Sequence, residues 1–256
     1  MNILIFKRKN VFFVAIAALV LVLLTCIVNV TGAYVIASGR TSKRIPIYCV
    51  QTEEKVVNIS FDASWGAEKT LKILEVLTEY DVEANFFVVG FWAEKYTEIL
   101  DTLSKSERME IGTHSNTHPH MSRLSREQIA TELDMSTKII EDIIGKKITL
   151  FRAPFGEYSD TLIEEAEKRG LYTVQWDVDS LDWKGLDAEQ ISMRVLGRVK
   201  CGSIILMHND GQHTLEALPL ILAGLKNKGY KLVRLSSLIY KDNYEIDHTG
   251  KQIPKG

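Results

Sequence analysis

The sequence predicts an α/β chain, a distorted (β/α) barrel of about seven strand–helix units preceded by one N-terminal transmembrane helix. Three observations carry that expectation. Short apolar runs alternate with stretches of helical periodicity between residues 55 and 235, the pattern of a parallel sheet wrapped in helices. Asp62, His114, His118, Arg152, Asp182 and His208 each follow closely on the end of such a run. In a β/α repeat the C-terminal strand ends open into one mouth, so residues scattered along the chain meet in space. Finally, Val11 to Val30 carries no charge, about the length that spans a bilayer at roughly 1.5 Å per residue.

Lys7-Arg8-Lys9 precedes that run, and the uncharged stretch continues to Gly39. It is apolar on every face, whereas a core helix would be amphipathic. Residues 11–36 therefore read as an anchor. A cleaved signal peptide is the competing reading, with Thr31-Gly32-Ala33 as a weak cleavage site, but its apolar core would be only about 7–15 residues long. The basic flank keeps residues 1–10 cytoplasmic, so the chain is expected as a single-pass protein of the cell membrane with its catalytic domain outside. Polar residues between Ser38 and Arg44 make 37–45 a linker, 46–240 the folded domain, and the polar 241–256 a flexible tail.

At 256 residues, 46% apolar and 25% charged, the chain is long enough for one well-buried domain. The net charge of −2, without a basic cluster beyond the N-terminus and Arg40 to Arg44, argues against nucleic acid as a partner. Of three cysteines, Cys26 falls in the membrane run. Cys49 and Cys201 define neither a disulfide framework nor a metal motif and read as small buried apolar residues. A monomer is expected.

The elements follow in order. Lys55 to Phe61 is a strand ending at Asp62. Glu68 to Tyr80 sets Leu71, Leu74, Leu77 and Ile73 at helical spacing, and Ala84 to Val89 reads as a buried strand. A helix from about Ala93 to Ser104 leads to the strand Met109 to Thr113. Ser125 with Gln128 forms a capping box for a helix with an apolar stripe of Ile129, Leu133, Ile140 and Ile144, stopped by Gly145. Thr149 to Phe151 ends at Arg152. A helix from Ser159 or Asp160 stops at Gly170, and Leu171 to Trp176 is the next strand. Asp187 with Gln190 caps another helix, Ser203 to Met207 runs to His208, and Thr214 opens the last helix before a strand at Tyr230 to Leu235.

His114 and His118, four residues apart, can chelate one divalent ion from a turn, since Pro119 disfavours helical geometry at His118. Imidazole suits zinc, with cobalt, nickel or manganese as alternatives. His120 lies beside them and reads as a supporting or surface residue. Asp62 at a strand end also fits a turn cap, Arg152 a loop-holding ion pair, and His208 a satisfied histidine beside Asn209. Taken singly, each residue has such a structural explanation; their joint placement at strand ends points to one active site.

Phe61-Asp62, His114-Ser-Asn-Thr-His118, Arg152-Ala-Pro-Phe-Gly156, Asp179-Ser-Leu-Asp182-Trp183 and Leu206-Met-His208 resemble, in order, the five signature motifs of the polysaccharide deacetylase family with its NodB-homology domain. The resemblance covers roughly residues 46 to 236. It implies a metal held by His114 and His118, Asp62 as general base oriented by Arg152, and His208 as general acid tuned by Asp182. It also implies an oxyanion contact from the Phe155 N–H and apolar walls from Trp183 and Leu206. Those roles suit amide hydrolysis, which needs a base for water, an acid for the departing amine and an electrophile on the carbonyl.

One position departs from the family. Where its first motif carries a second aspartate, this chain has Ala63. The phrase Phe61-Asp-Ala-Ser-Trp-Gly66, with the N-terminal run and Gly90 to Tyr96, resembles the sporulation-associated PdaB-like branch, which implies a role at peptidoglycan of the spore cortex or envelope. The expected function is a membrane-anchored, metal-dependent N-deacetylase of peptidoglycan sugars. The alternative is a catalytically weakened member of the same fold that binds envelope glycan without turnover.

Overall fold

The computed structural model describes residues 43–255, together with Leu19, Val20, Val22, Leu23 and Thr25. The chain divides into two units, residues 1–43 and 44–256. In the first, those five residues are helical and exposed, and the Thr25 hydroxyl donates to the Val22 carbonyl. The rest of the expected anchor at 11–36 lies outside the described residues, among which no helix is long and apolar enough to cross a membrane.

The second unit is built on strands β1 (Cys49–Val50), β2 (Val56–Ala63), β3 (Ala84–Val88), β4 (Met109–Thr113), β5 (Leu150–Phe151), β6 (Tyr172–Thr173), β7 (Val178–Asp179), β8 (Ile204–His208) and β9 (Lys231–Leu232). Strands β6-β5-β4-β3-β2-β8-β7 lie side by side in that order, and β9 pairs with the start of β2. Every pairing in this sheet is parallel. The connecting helices are α1 (Thr70–Glu79), α2 (Gly90–Lys95), α3 (Thr97–Lys105), α4 (Arg126–Ile144), α5 (Asp160–Lys168), α6 (Ala188–Arg198), α7 (Thr214–Asn227) and α8 (Leu235–Leu238).

Strand β2 shows how the sequence builds both the core and the site. Successive side chains point to opposite faces of a strand. Val57, Ile59, Phe61 and Ala63 join the apolar layer with Ile73, Leu77 and Leu222 of the helices. Asn58, Ser60 and Asp62 alternate with them; all three are buried and polar. Asn58 Nδ2 donates to Asn85 Oδ1 and the Val233 carbonyl, and Ser60 Oγ donates to the Ile205 carbonyl. A polar column of this kind survives burial because its members find partners, and it rises to Asp62.

The capping boxes predicted at Ser125/Gln128 and Asp187/Gln190 both form, and Gly145 closes α4 in the left-handed region with φ of 66°. Three expectations need correction. The single helix expected from Ala93 to Ser104 is two, α2 and α3, broken at Tyr96, whose φ of −120° and ψ of 44° lie outside the helical region; the Thr97 hydroxyl bonds the Ala93 and Glu94 carbonyls across the break. No helix separates β6 from β7, so the barrel stays open there, and Ile47 bridges to Val174 along the gap. The expected tail at 241–256 is not loose over its described residues, 241–255. Strands β10 (Tyr244–Ile246) and β11 (Lys251–Pro254) pair with each other, and β11 pairs with β1 in a three-stranded sheet. Buried Gln252 anchors it by exchanging hydrogen bonds with the backbone of Tyr240.

Candidate active site

Register brings the predicted residues together. Asp62 and His208 are direct neighbours on β2 and β8. The His114 N–H donates to the Val88 carbonyl, and the Arg152 N–H to the Thr113 carbonyl, so each residue past a strand end leans on the strand beside it. Asp62, His114, His118, Phe155, Trp183, Leu206 and His208 all line one cavity of about 740 Å³, with Trp65, Trp176, Asp179 and Asp210.

Asp62 and Arg152 form a fully buried pair. Arg152 Nη1 donates to Asp62 Oδ1 at 2.8 Å, while Nη2 donates to Ser60 Oγ at 2.9 Å and to the Gln175 carbonyl at 3.2 Å. The guanidinium also lies 4.1 Å from the centroid of the Phe87 ring. Gly112 makes room for that ring, since a Cβ there would come within 2.8 Å of it. Burial pushes the Asp62 carboxyl up, but the adjacent Arg152 guanidinium, through its charge and hydrogen bond, outweighs it and holds the carboxyl below its ordinary range. The result is a carboxylate ionised at neutral pH, with Oδ2 3.6 Å from His114 Nε2.

His208 has the opposite bias. Its Nδ1 lies 2.7 Å from Asp182 Oδ1, and its backbone N–H donates to Asp182 Oδ2 at 2.9 Å, an oxygen that also accepts from the Thr214 hydroxyl. Asp182 is wholly buried. Burial pulls the imidazole pKa down, yet the hydrogen bond and charge of Asp182 raise it above its ordinary 6.5. With Nδ1 committed to Asp182, Nε2 is the nitrogen left to exchange a proton in the cavity.

The histidine loop is held from below by a residue that the sequence did not single out. Glu132, on α4, accepts from the N–H groups of Asn116 and Thr117 at 2.9 and 2.8 Å and from the Thr117 hydroxyl at 2.7 Å. Ser115 Oγ accepts from the His118 N–H. These bonds hold Ser115 and His118 in the left-handed region, with φ of 71° and 58°. Such conformations are costly for residues other than glycine unless the surroundings enforce them. Nothing in one sequence distinguishes Glu132 from its exposed neighbours on the helix.

His114 donates from Nδ1 to the Arg152 carbonyl at 2.8 Å, which turns Nε2 toward the cavity, and the two imidazoles stand 5.0 Å apart between centroids. Burial lowers the pKa of both rings, that of His118 to about 4, so each is a neutral donor at neutral pH. The set stops at two. Among the described residues no group of three His, Cys, Asp or Glu side chains is arranged to hold a metal ion. Asp62 is tied to Arg152 through Oδ1, and Ala63 is a fully buried methyl in the apolar layer. The donors present do not complete the metal site that the family resemblance implies.

Phe155 has φ of 60°, and its ring is more than half exposed. It meets the edge of His118 at 4.6 Å and stacks on His120 at 4.2 Å. His120, left at the margin by the sequence, bonds Glu157, which also accepts from the Ser122 hydroxyl.

The chain matches the family model described as polysaccharide deacetylase over residues 50–174. It is 33% identical to a peptidoglycan-N-acetylglucosamine deacetylase of Bacillus cereus over 195 residues, 74% of this chain and 91% of that protein. It is also 33% identical to the uncharacterized protein YlxY of Bacillus subtilis, a match over 76% of this chain and only 60% of that protein's length. Among solved structures, a CE4 family pseudoenzyme from Bacillus anthracis superposes with a TM-score of 0.73 at 32% identity, covering 77% of this chain and 69% of that one. A mutant of that pseudoenzyme with restored enzymatic activity superposes with the same TM-score at 34% identity, covering 77% and 71%. The sheet order, the Asp62–Arg152 and His208–Asp182 pairs and these likenesses have one reading: the chain belongs to the polysaccharide deacetylase family.

Proposed function

We propose that this chain is an N-deacetylase of cell-wall peptidoglycan. The observation that carries the reading is the pairing of Asp62 and His208 on adjacent strands with opposite biases, one held toward the ionised form by Arg152 and the other biased toward the protonated form by Asp182. Amide hydrolysis by water uses such a pair. Asp62 takes a proton from the attacking water, and His208 delivers one from Nε2 to the departing amine. Each transfer is worth typically about 10²–10⁴ in rate. The Phe155 N–H is the donor for the developing oxyanion, and Leu206 and Trp183 flank the acetyl group and the sugar. Peptidoglycan as substrate is supported by the named activity of the Bacillus cereus relative. Placement at the outer face of the membrane rests on the charge-free N-terminal run, and a role in sporulation on the likeness of Phe61 to Gly66 to the PdaB-like branch.

A second reading is favoured by Ala63 and by the likeness to a pseudoenzyme of the same fold: a protein that binds envelope glycan without turnover. Acetate release from peptidoglycan or chitooligosaccharides, measured with and without added Zn²⁺ or Co²⁺, separates the two. Release abolished by Asp62→Asn and by His208→Ala supports the hydrolase. No release under either condition, with glycan still bound, supports the binding protein.

A further inference from the structure

We infer that Trp65, backed by Phe91 and flanked by Asp210, forms a sugar-binding subsite on the rim of the cavity for the ring adjoining the one that reacts. The ligand is then a β-linked N-acetylhexosamine chain rather than a single sugar. The inference rests on the reading of the site as one for cell-wall glycan.

Trp65 is 55% exposed in a domain that buries Trp92 completely. A large aromatic surface left in water at the mouth of a cavity marks a contact site when it is rigidly presented, and this one is. The indole is braced by two edge contacts, with Phe91 at 5.6 Å and with His118 at 4.8 Å. Its turn is pinned at the Gly66 carbonyl, which accepts from Trp92 Nε1 at 2.6 Å and Asn209 Nδ2 at 3.0 Å. Gly66 adopts φ of +53°, and a Cβ there would lie 2.6 Å from Asp210 Oδ2. Phe91 belongs to the same frame, since its N–H donates to the Asn116 carbonyl of the histidine loop.

Asp210 supplies the polar half. Its exposed carboxylate lies against Gly66 and makes no hydrogen bond or ion pair to another described residue, so both oxygens can accept from ligand hydroxyls. An apolar ring face beside free acceptors matches a pyranose, with its C–H face and its equatorial hydroxyls. An acyl chain would leave the carboxylate uncompensated. Trp183, 58% exposed, lies next to Asp182 and lines the same cavity. Separate aromatic surfaces around one Asp62–His208 pair provide for more than one sugar ring.

The test is calorimetric binding of N-acetylglucosamine and its β-1,4-linked tetramer to the full-length protein. The tetramer should bind at least about tenfold more tightly than the monomer. In Trp65→Ala that ratio should fall about five- to tenfold, the contribution of one aromatic contact. Trp65→Phe should keep most of it, and Asp210→Asn should lower it less. An unchanged ratio in Trp65→Ala, or a tetramer that fails to bind the natural protein, overturns the inference. Turnover is read separately. Lost acetate release with an intact length preference removes the hydrolase and leaves the subsite; the reverse result removes the subsite alone.

Discussion

Replacing Asp182 by asparagine tests the acid half of the site. The carboxylate accepts from three donors: the imidazole Nδ1–H and the backbone N–H of His208, and the hydroxyl of Thr214. Asparagine brings one oxygen and one NH₂ group to the same two positions, so whichever way it turns, its amide faces at least one donor. An unpaired buried donor costs about 1–3 kcal/mol, which is the expected loss of stability. The titration changes as well. Burial pulls the His208 pKa down, and Asp182 raises it with smaller help from the charges of Asp62 and Asp179; without the Asp182 carboxylate the largest opposing influence is gone and the pKa falls. The alkaline limb of the pH–rate profile then moves to lower pH, and acetate release at neutral pH drops about 10²–10⁴-fold, the contribution of one proton-transfer group.

The sign of the stability effect follows from the same shift. A raised folded-state pKa contributes stability that is fully present below 6.5 and disappears as pH rises through the folded value. The Tm difference between natural protein and variant should therefore be largest in mild acid and shrink as pH rises. NMR titration of the His208 ring measures the pKa directly, without relying on turnover. A ring that titrates at the same or higher pH in the variant would refute the reasoning.

Ala63→Asp should lower Tm without metal, since it puts a carboxylate into a fully buried position, and should raise Zn²⁺ affinity by restoring the aspartate of the family's first motif; calorimetry showing equal affinity in both proteins would mean that Ala63 does not limit metal binding. Glu132→Ala removes three acceptor contacts from the histidine loop and should cost about 1–3 kcal/mol in urea unfolding. It should also shift the His118 ring resonances, with Glu132→Gln intermediate; unmoved resonances would mean that the loop holds itself. Gly112→Ala places a methyl 2.8 Å from the Phe87 ring and 2.9 Å from the Leu150 carbonyl, overpacking expected to cost about 1–3 kcal/mol. Because Phe87 carries the Arg152 guanidinium, acetate release should fall with it, and wild-type stability and activity in this variant would show that the ring has room to move.

Local chemistry decides the features that can be read from the residues alone. Ser125 with Gln128 and Asp187 with Gln190 satisfy helix ends within one turn, and Gly145 supplies a left-handed stop, so those boundaries were legible before any contact was known. The apolar runs before Asp62, His114, Arg152 and His208 were legible as strands, and parallel strand ends converge whatever the detailed register. The two-histidine donor set and the methyl at Ala63 could be read directly. Tertiary structure decided the rest, because it depends on partners far away in the chain. The biases of Asp62 and His208 come from Arg152, 90 residues away, and Asp182, 26 residues away. The left-handed loop at Ser115 and His118 depends on a carboxylate two turns into α4, at a position with no local signature. The break at Tyr96 is one residue's departure from helical dihedrals, and the polar residues after 241 become strands only because β1 offers an edge to pair with. A backbone group takes whichever hydrogen-bond partner the fold brings to it, and that supply is set by packing rather than by neighbouring residues.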